Sequence, residues 1–417
     1  MTQQIAGKVP QIRFKGFEEQ WAEKKLGDLG TFKNGMNFGK EAMGHGNPFV
    51  NLQNVFGHLE VDDKKLELAE SSPMQRREYN LLKGDVLFIR SSVKPEGVGE
   101  TALITKTLMD TTYSGFIIRY RLEVRMSHSF NRIAYRTILV RKQILANASR
   151  SANTNINQKA LQKIALGIPR FDEQTQIGDY FRDLDRLIGL HQRKHDKLVT
   201  LKKAMLQKMF PQPGATTPEI RFKGFEGDWV EKKLGECALI QRGGSPRPIE
   251  DFITQEANGI NWVKIGDVKL GSRYITKTEG KIKPEGVSKS REVFKGDLIL
   301  SNSMSFGRPY LMAIDGCIHD GWLLIRNDKN LFDLDYLLQL LSSETMTEQY
   351  RSLAAGGVVN NLNSALVQST NISFPDKPEQ QKIGIYFRQL DALISQHATQ
   401  LQKLKQLESA CLEKMFV

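Results

Sequence analysis

Three short stretches in each half of this 417-residue chain gather basic, hydroxyl and amide side chains. Their chemistry is hydrogen bonding to phosphates and base edges, not bond making. In the first half, Lys33, Asn34, Asn37 and Lys40 stand in FKNGMNFGK, and Arg90, Ser91, Ser92 and Lys94 follow the strand-like LLKGDVLFI. Arg150, Asn153, Asn155 and Asn157 stand in SRSANTNINQ. The second half offers Arg242, Ser245 and Arg247 in LIQRGGSPRP, then Ser301, Asn302, Ser303 and Arg308 in VFKGDLILSNSMSFGRP. It adds Asn360, Asn361 and Asn363 in GGVVNNLN. Arginine and lysine neutralise phosphates, and asparagine reads adenine through paired hydrogen bonds. Asparagines ahead of helical-looking segments also cap helices, and for the third stretch capping is the preferred reading.

Signatures of catalysis are missing. No GxxxxGK[ST] loop is present, and Asn47-Pro48-Phe49 lacks the second proline of the Asn-Pro-Pro-Tyr string with which adenine methyltransferases hold a base. His191 and His195 have i, i+4 spacing but lie on a helical seam with no matching pair in the other half. They read as a polar register device rather than a metal site. Cys237, Cys317 and Cys411 have no close pairing, which points to neither a disulfide scaffold nor a cysteine zinc site and suits a reducing cytosol. The start MTQQIAGKVP has no apolar signal core, and no apolar run approaches the roughly 18 residues that span a bilayer. A cytoplasmic protein without membrane contact is expected. The net charge of +12 and pI near 9.4 favour a polyanionic partner.

The elements that position these residues come in duplicate. IRFKGFEEQWAEKKLG from Ile12 returns as IRFKGFEGDWVEKKLG from Ile220, thirteen of sixteen positions identical at an offset of 208. IGDYFRDLDRLI from Ile177 returns as IGIYFRQLDALI from Ile383, nine of twelve identical at an offset of 206. The chain is a tandem duplication. From the start of each second echo, a mostly apolar series steps by four and three: Ile177, Phe181, Leu184, Ile188, His191, His195, Leu198, Lys202, Met205 and Met209 in one half. The other gives Ile383, Phe387, Leu390, Ile394, His397, Leu401, Leu404, Glu408, Cys411 and Met415. This is a coiled-coil seam on two helices of about 35 residues, widened by Leu187, Leu201, Leu393 and Leu407. Asp172, Glu173, Asp376 and Glu379 mark the helix starts, and Pro211 stops the first helix. The linker of residues 211–219 reaches at most about 30 Å, so the second repeat begins near the end of the first helix. Antiparallel pairing follows, with two globular domains at opposite ends of a rod about 50 Å long and related by a pseudo-twofold axis. Such a rod spaces two recognition centres on duplex DNA by up to about 15 base pairs. Trp21, Trp229, Phe14, Phe17, Phe222 and Phe225 recur in register, which assigns them to shared packing against the helices.

The duplicated IRFKGF…W…EKKLG, GGSPRP…INWVKIGDV, the two KGD segments at Lys83–Asp85 and Lys295–Asp297, and P…EQ…I…F…LD before each helix together resemble the specificity subunit of type I restriction-modification systems over essentially the whole chain. That resemblance implies target-recognition domains joined by conserved spacer helices, and a chain that selects DNA without doing chemistry. It implies assembly with two modification subunits and, for cleavage, two restriction subunits, which carry S-adenosylmethionine, ATP and Mg. The expected fold is α+β: a first recognition domain over 1–168, a spacer helix over 169–210, a linker over 211–219, a second recognition domain over 220–374 and a second spacer helix over 375–417. Two other readings are weighed beside it. A free-standing, two-headed DNA-binding regulator would bind specifically as a single chain. A nuclease or methyltransferase with an unfamiliar site would turn over substrate when purified.

Overall fold

The computed structural model describes residues 9–150, 152–268, 272–302, 307–355 and 362–417. The chain packs as two units, Met1–His191 with Gln400–Val417, and Gln192–Thr399. Two helices of 38 residues each, Phe171–Lys208 and Lys377–Lys414, are shared between them, so each unit holds the start of one helix and the end of the other.

In the first unit a four-stranded antiparallel sheet runs in the order Gly30–Asn34, Ile117–Leu122, Val86–Ile89, Thr101–Leu103. The run VLFI is buried at every position because successive side chains of a strand point to opposite faces. Val86 and Phe88 feed the core under the helices, while Leu87 and Ile89 feed a second core with Val50, Val55 and Tyr113. The second unit repeats the device. Leu298 and Leu300 face the helix side and Ile299 faces Trp322 and Val263. Its main sheet is ordered Leu239–Arg242, Trp322–Arg326, Leu298–Ser301, Pro309–Met312, Tyr274–Ile275. The α+β expectation holds, and FNRIAYRTILVRKQIL is two helices, His128–Ala134 and Ile138–Asn147, divided where Thr137 caps the second through Val140 N–H.

The repeated opening segment locks each unit to its helix start. Arg13 Nε and Nη2 donate to the two carboxylate oxygens of Glu173 at 2.7 and 2.8 Å, and Arg221 does the same to Glu379 at 2.8 and 2.8 Å. Glu173 and Glu379 are 0% and 1% exposed. The strand Ala22–Lys25 then pairs with Ala165–Ile168, and Val230–Lys233 with Asn371–Phe374, tying each repeat to the strand that leads into its helix. Trp21 packs edge-on against Phe130 and Phe416, and Trp229 against Phe210 and Tyr336. The packing role expected for the tryptophans is therefore what the structure gives.

Within each unit the two helices run antiparallel. In the first, Phe181 near one helix start meets Phe416 just past the other helix end, and in the second Phe387 meets Phe210. The seam is deepest at Ile177, Phe181, Leu184, Ile383, Phe387, Leu390 and Leu401, all buried. Ile188, Leu198, Met205, Ile394 and Leu404 are half-buried. Leu187, Leu201, Leu393 and Leu407 do not widen it; they are 38–47% exposed. A two-helix seam covers only the narrow a/d stripe, and these four flank it.

The seam is not chemically symmetric. Asp185 accepts from Arg132 in the first unit and has Glu408 beside it, whereas the matching Asp391 of the second unit is paired with Lys202. Burial, then Asp185, pushes the Glu408 carboxyl above its ordinary value. A raised carboxyl contributes stability that is complete below the ordinary carboxylate range and is lost as pH rises through the folded value. Glu408→Gln is therefore expected to raise the melting temperature of the full chain near pH 7 and to leave it unchanged near pH 4; a gain independent of pH would sink this account. Arg13→Ala and Arg221→Ala each leave a buried carboxylate unpaired and are expected to cost about 3–5 kcal/mol, read as a drop in the urea midpoint.

Candidate nucleic-acid interface

At the far end of the first sheet, two backbone connections and one side-chain hydrogen bond bring the basic and amide stretches together. Ser91–Ser92 pairs with Thr154–Asn155, Asn155 opposite Ser91 and Thr154 opposite Ser92. The FKNGMN turn arrives through Gly115 N–H to Met36 O at 2.6 Å. A Cβ at Gly115 would meet Asn37 Oδ1 at 1.9 Å, so the glycine lets the Asn37 side chain lie against the turn. Arg90 Nη1 donates to the Gly115 carbonyl at 3.3 Å. Lys33 is engaged by Glu78 at 2.9 Å and lies over the Tyr79 ring. Asn34 is half-buried, and Asn37 and Lys40 are exposed.

Around this junction lies an open recess of about 520 Å³. Ser91, Ser92, Lys94 and Asn153 line it together with Phe56, Val93 and Phe116. Those three apolar residues are 51%, 81% and 56% exposed, and sequence reasoning passed over them. The available signal was a large apolar residue inside a polar turn, outside any helix or strand period.

The second unit builds the same place differently. Asn302 occupies the position of Arg90: its backbone N–H bonds Gly321 O as Arg90 N–H bonds Phe116 O, and its side chain donates to the Asp320 carbonyl at 2.9 Å. Asp320 gathers the rest. Ser245 Oγ donates to Asp320 Oδ1 at 3.1 Å, Arg247 Nη2 lies 3.4 Å from Oδ2, and Arg242 Nε lies 3.4 Å from the Asp320 carbonyl. His319 Nδ1 accepts from Gly321 N–H at 2.9 Å, which leaves Nε2 to donate to Asp320 Oδ1 at 2.9 Å. One stretch 73–78 residues away from Asp320 in sequence thus converges on it, Ser245 and Arg247 on its carboxylate and Arg242 on its main-chain carbonyl, at a residue that no motif announced. Arg247 remains 79% exposed, so its ion pair is weak and its guanidinium can turn to a phosphate.

Ser301 and Asn302 are buried. Ser301 Oγ accepts from Arg308 N–H at 3.1 Å and presents Arg308, which is exposed. Asn157 and Asn363 cap helices, accepting from Ala160 N–H and Leu366 N–H at 2.9 Å each, as the capping reading anticipated. Asn155 donates to Asn153 O at 3.0 Å. Ser303, Asn360 and Asn361 lie outside the described residues.

Below each interface the KGD turn serves as support. Gly84 and Gly296 have φ of +95° and +98°, a region glycine occupies at little cost. Asp85 and Asp297 each accept from a backbone N–H, of Leu82 and Phe294, and each takes both arms of an arginine, Arg121 and Arg326. Among the described residues no cluster of histidine, cysteine, aspartate or glutamate is arranged to hold a metal, and no helix is long and apolar enough to cross a membrane.

The sequence matches the family described as type I restriction modification DNA specificity domain twice, over residues 18–200 and 226–406. It is 24% identical over 411 residues to the MjaX specificity subunit of a type I restriction enzyme from Methanocaldococcus jannaschii, covering 93% of this chain and 91% of that one. The fold is similar to the S subunit of a type I restriction-modification system from M. genitalium, with a TM-score of 0.65, 15% identity and coverage of 98% and 99%. A chain from a study of complex assembly and conformational transition of a type I system gives a TM-score of 0.53 at 18% identity, covering 94% and 96%.

Support and surface separate experimentally. Asn302→Ala leaves the Asp320 carbonyl short of a buried donor and is expected to cost about 1–3 kcal/mol. Lys94→Ala is expected to stay within about 0.5 kcal/mol, both read by thermal unfolding of the full chain.

Proposed function

The chain belongs to the family of type I restriction-modification DNA specificity domains, which it matches in both halves, and from that premise we propose that it is the subunit that chooses the DNA sequence for a type I restriction-modification complex. One observation supports this above others. Two units built on the same ion pairs, turns and aromatic contacts present unlike side chains at the same sheet ends. Phe56, Val93 and Phe116 rim one, and Arg242, Arg247 and Asp320 crowd the other. Heads of this kind read two different half-sites, so the target in double-stranded DNA is bipartite and asymmetric. Lys40, Lys94, Arg247 and Arg308 supply phosphate contacts, while Asn37 and Asn153 face base edges.

In this reading the two helices fix the interval between half-sites and dock two modification subunits. The exposed leucines favour paired docking, since each unit carries one matched set, Leu187 with Leu407 and Leu201 with Leu393. Two restriction subunits join for cleavage. S-adenosylmethionine, ATP and Mg belong to those partners, and this chain, working in the cytoplasm, contributes recognition alone.

The test is single-molecule sequencing of adenine methylation in cells carrying this chain with its modification subunit, set against a deletion of this chain. A single gapped, asymmetric motif that vanishes on deletion is expected. One heptad inserted in both helices should lengthen the gap by about 10 Å, or about three base pairs. Methylation that persists without this chain would instead favour a free-standing two-headed regulator, identified by tight specific binding of the isolated protein.

A further inference from the structure

A recess of about 680 Å³ in the second unit collects five basic side chains, Lys202, Lys203, Arg273, Arg308 and Arg351, against two carboxylates, Glu344 and Asp391. Of the carboxylates, Asp391 is already paired with cations. Asp391 pairs with Lys202, lies 3.2 Å from Arg273 Nε and accepts from Gln339 at 3.1 Å. Glu344 accepts from Gln207 at 3.0 Å. Lys203, Arg308 and Arg351 are exposed, and their charged ends have no partner among the described residues. Burial, ahead of the nearby Arg273, brings Lys202 down to about 8 even though Asp391 pulls it upward. Local positive charge exceeds what the local carboxylates hold.

The recess is shaped rather than incidental. Gly307 turns with φ of +71°, and a Cβ there would come within 2.9 Å of the Tyr350 ring. Ser301 N–H donates to Arg308 O at 3.1 Å while Ser301 Oγ receives Arg308 N–H at 3.1 Å, fixing the arginine at its backbone. Arg273 Nη1 donates to Ser342 Oγ at 2.9 Å, which aims its guanidinium along the wall.

Duplication provides an internal control. Gly99 N–H bonds Ile89 O at 2.7 Å as Gly307 N–H bonds Ser301 O at 2.9 Å, so Glu100 stands where Arg308 stands. The offset of 206 puts Glu408 in the place of Lys202, Ser409 in that of Lys203 and Leu145 in that of Arg351. The framework is kept in both units and this charge in only one. A merely solvated helix face would not reverse sign at two separate elements that meet at one cavity.

We propose that this recess binds two or more neighbouring phosphate groups, supplied by the DNA backbone beside the second head or by a free polyphosphate. Paired guanidiniums suit phosphate oxygens bidentately, and Lys202 adds a further cation to the lining. The DNA source rests on the function proposed above; the phosphate chemistry does not.

The experiment uses the full chain with its modification subunit. Tripolyphosphate is titrated calorimetrically at low salt, and the salt dependence of target-DNA affinity is measured in parallel. The test variant is R308E/R351E, and K64E/K65E, on an exposed turn of the first unit, makes the same charge change elsewhere. Tripolyphosphate is expected to bind at one site and to weaken at least about tenfold in R308E/R351E but not in the control. If DNA is the source, tripolyphosphate competes with it and the variant loses about 0.9 of salt slope per phosphate contact removed. If a free polyphosphate is the source, tripolyphosphate binds while the DNA slope is unchanged. Equal tripolyphosphate affinity in the wild type and both variants, with no change in DNA slope, overturns the proposal. Persistent tripolyphosphate binding by a chain that fails to bind DNA overturns the DNA reading alone.

Discussion

A buried arginine–glutamate pair, made twice, is the constraint from which the rest of this structure follows. Arg13 and Arg221 each close both guanidinium arms on a carboxylate that has no other route to water. Such pairs contribute little net stability, because desolvation offsets attraction, but a missing partner is severely unfavourable. Their effect is therefore one of specification. They admit one placement of each repeat start against its helix, and the adjacent strand, tryptophan and seam then take their positions. Glu173 and Glu379 sit in the first helical turn, where the macrodipole also favours negative charge, so a single side chain satisfies the helix end and the repeat together.

Above that clamp the two units diverge only where they can afford it. The KGD turns bury an aspartate between backbone N–H groups and an arginine in both units, and the strands after them keep the same alternation. The identities part from the last buried strand residue onward: Ile89 answers to Ser301, Arg90 to Asn302, Glu100 to Arg308. Backbone hydrogen bonds at these positions coincide while side chains do not. A scaffold that fixes the main chain lets an exposed position such as that of Arg308 carry a different side chain in each unit while the buried pairs stay untouched.

Much of this was legible in the residues. The repeats, the two helices and their deep seam at Ile177, Phe181, Leu184, Ile383, Phe387 and Leu390 follow from spacing alone, because a helical period is a local property. Asn157 and Asn363 declared themselves as caps for the same reason. Asp320 did not, since its significance depends on Arg242, Ser245 and Arg247 arriving from far along the chain. Phe56, Val93 and Phe116 left only the trace of an apolar residue in a polar turn, because exposure of an apolar residue is decided by what fails to cover it. Leu187, Leu201, Leu393 and Leu407 match the helical period yet remain uncovered, for the period states which residues share a face but not how wide a partner that face meets. The pairing of two like carboxyls at Asp185 and Glu408, opposite a lysine–aspartate pair in the other unit, likewise emerges only once both helices are placed.

The exchange of helix ends ties the two repeats together. Phe416, which closes the first unit against Trp21 and Phe181, comes from the second repeat, and Phe210, which closes the second unit against Trp229 and Phe387, comes from the first. A protein of one repeat would present an open aromatic socket at one end and a loose phenylalanine at the other. It could seal the socket only with the tail of a second copy. The duplicated chain thus keeps both halves of this reciprocal exchange on one covalent thread, so that each socket is closed from within and neither repeat depends on a second molecule to complete its core.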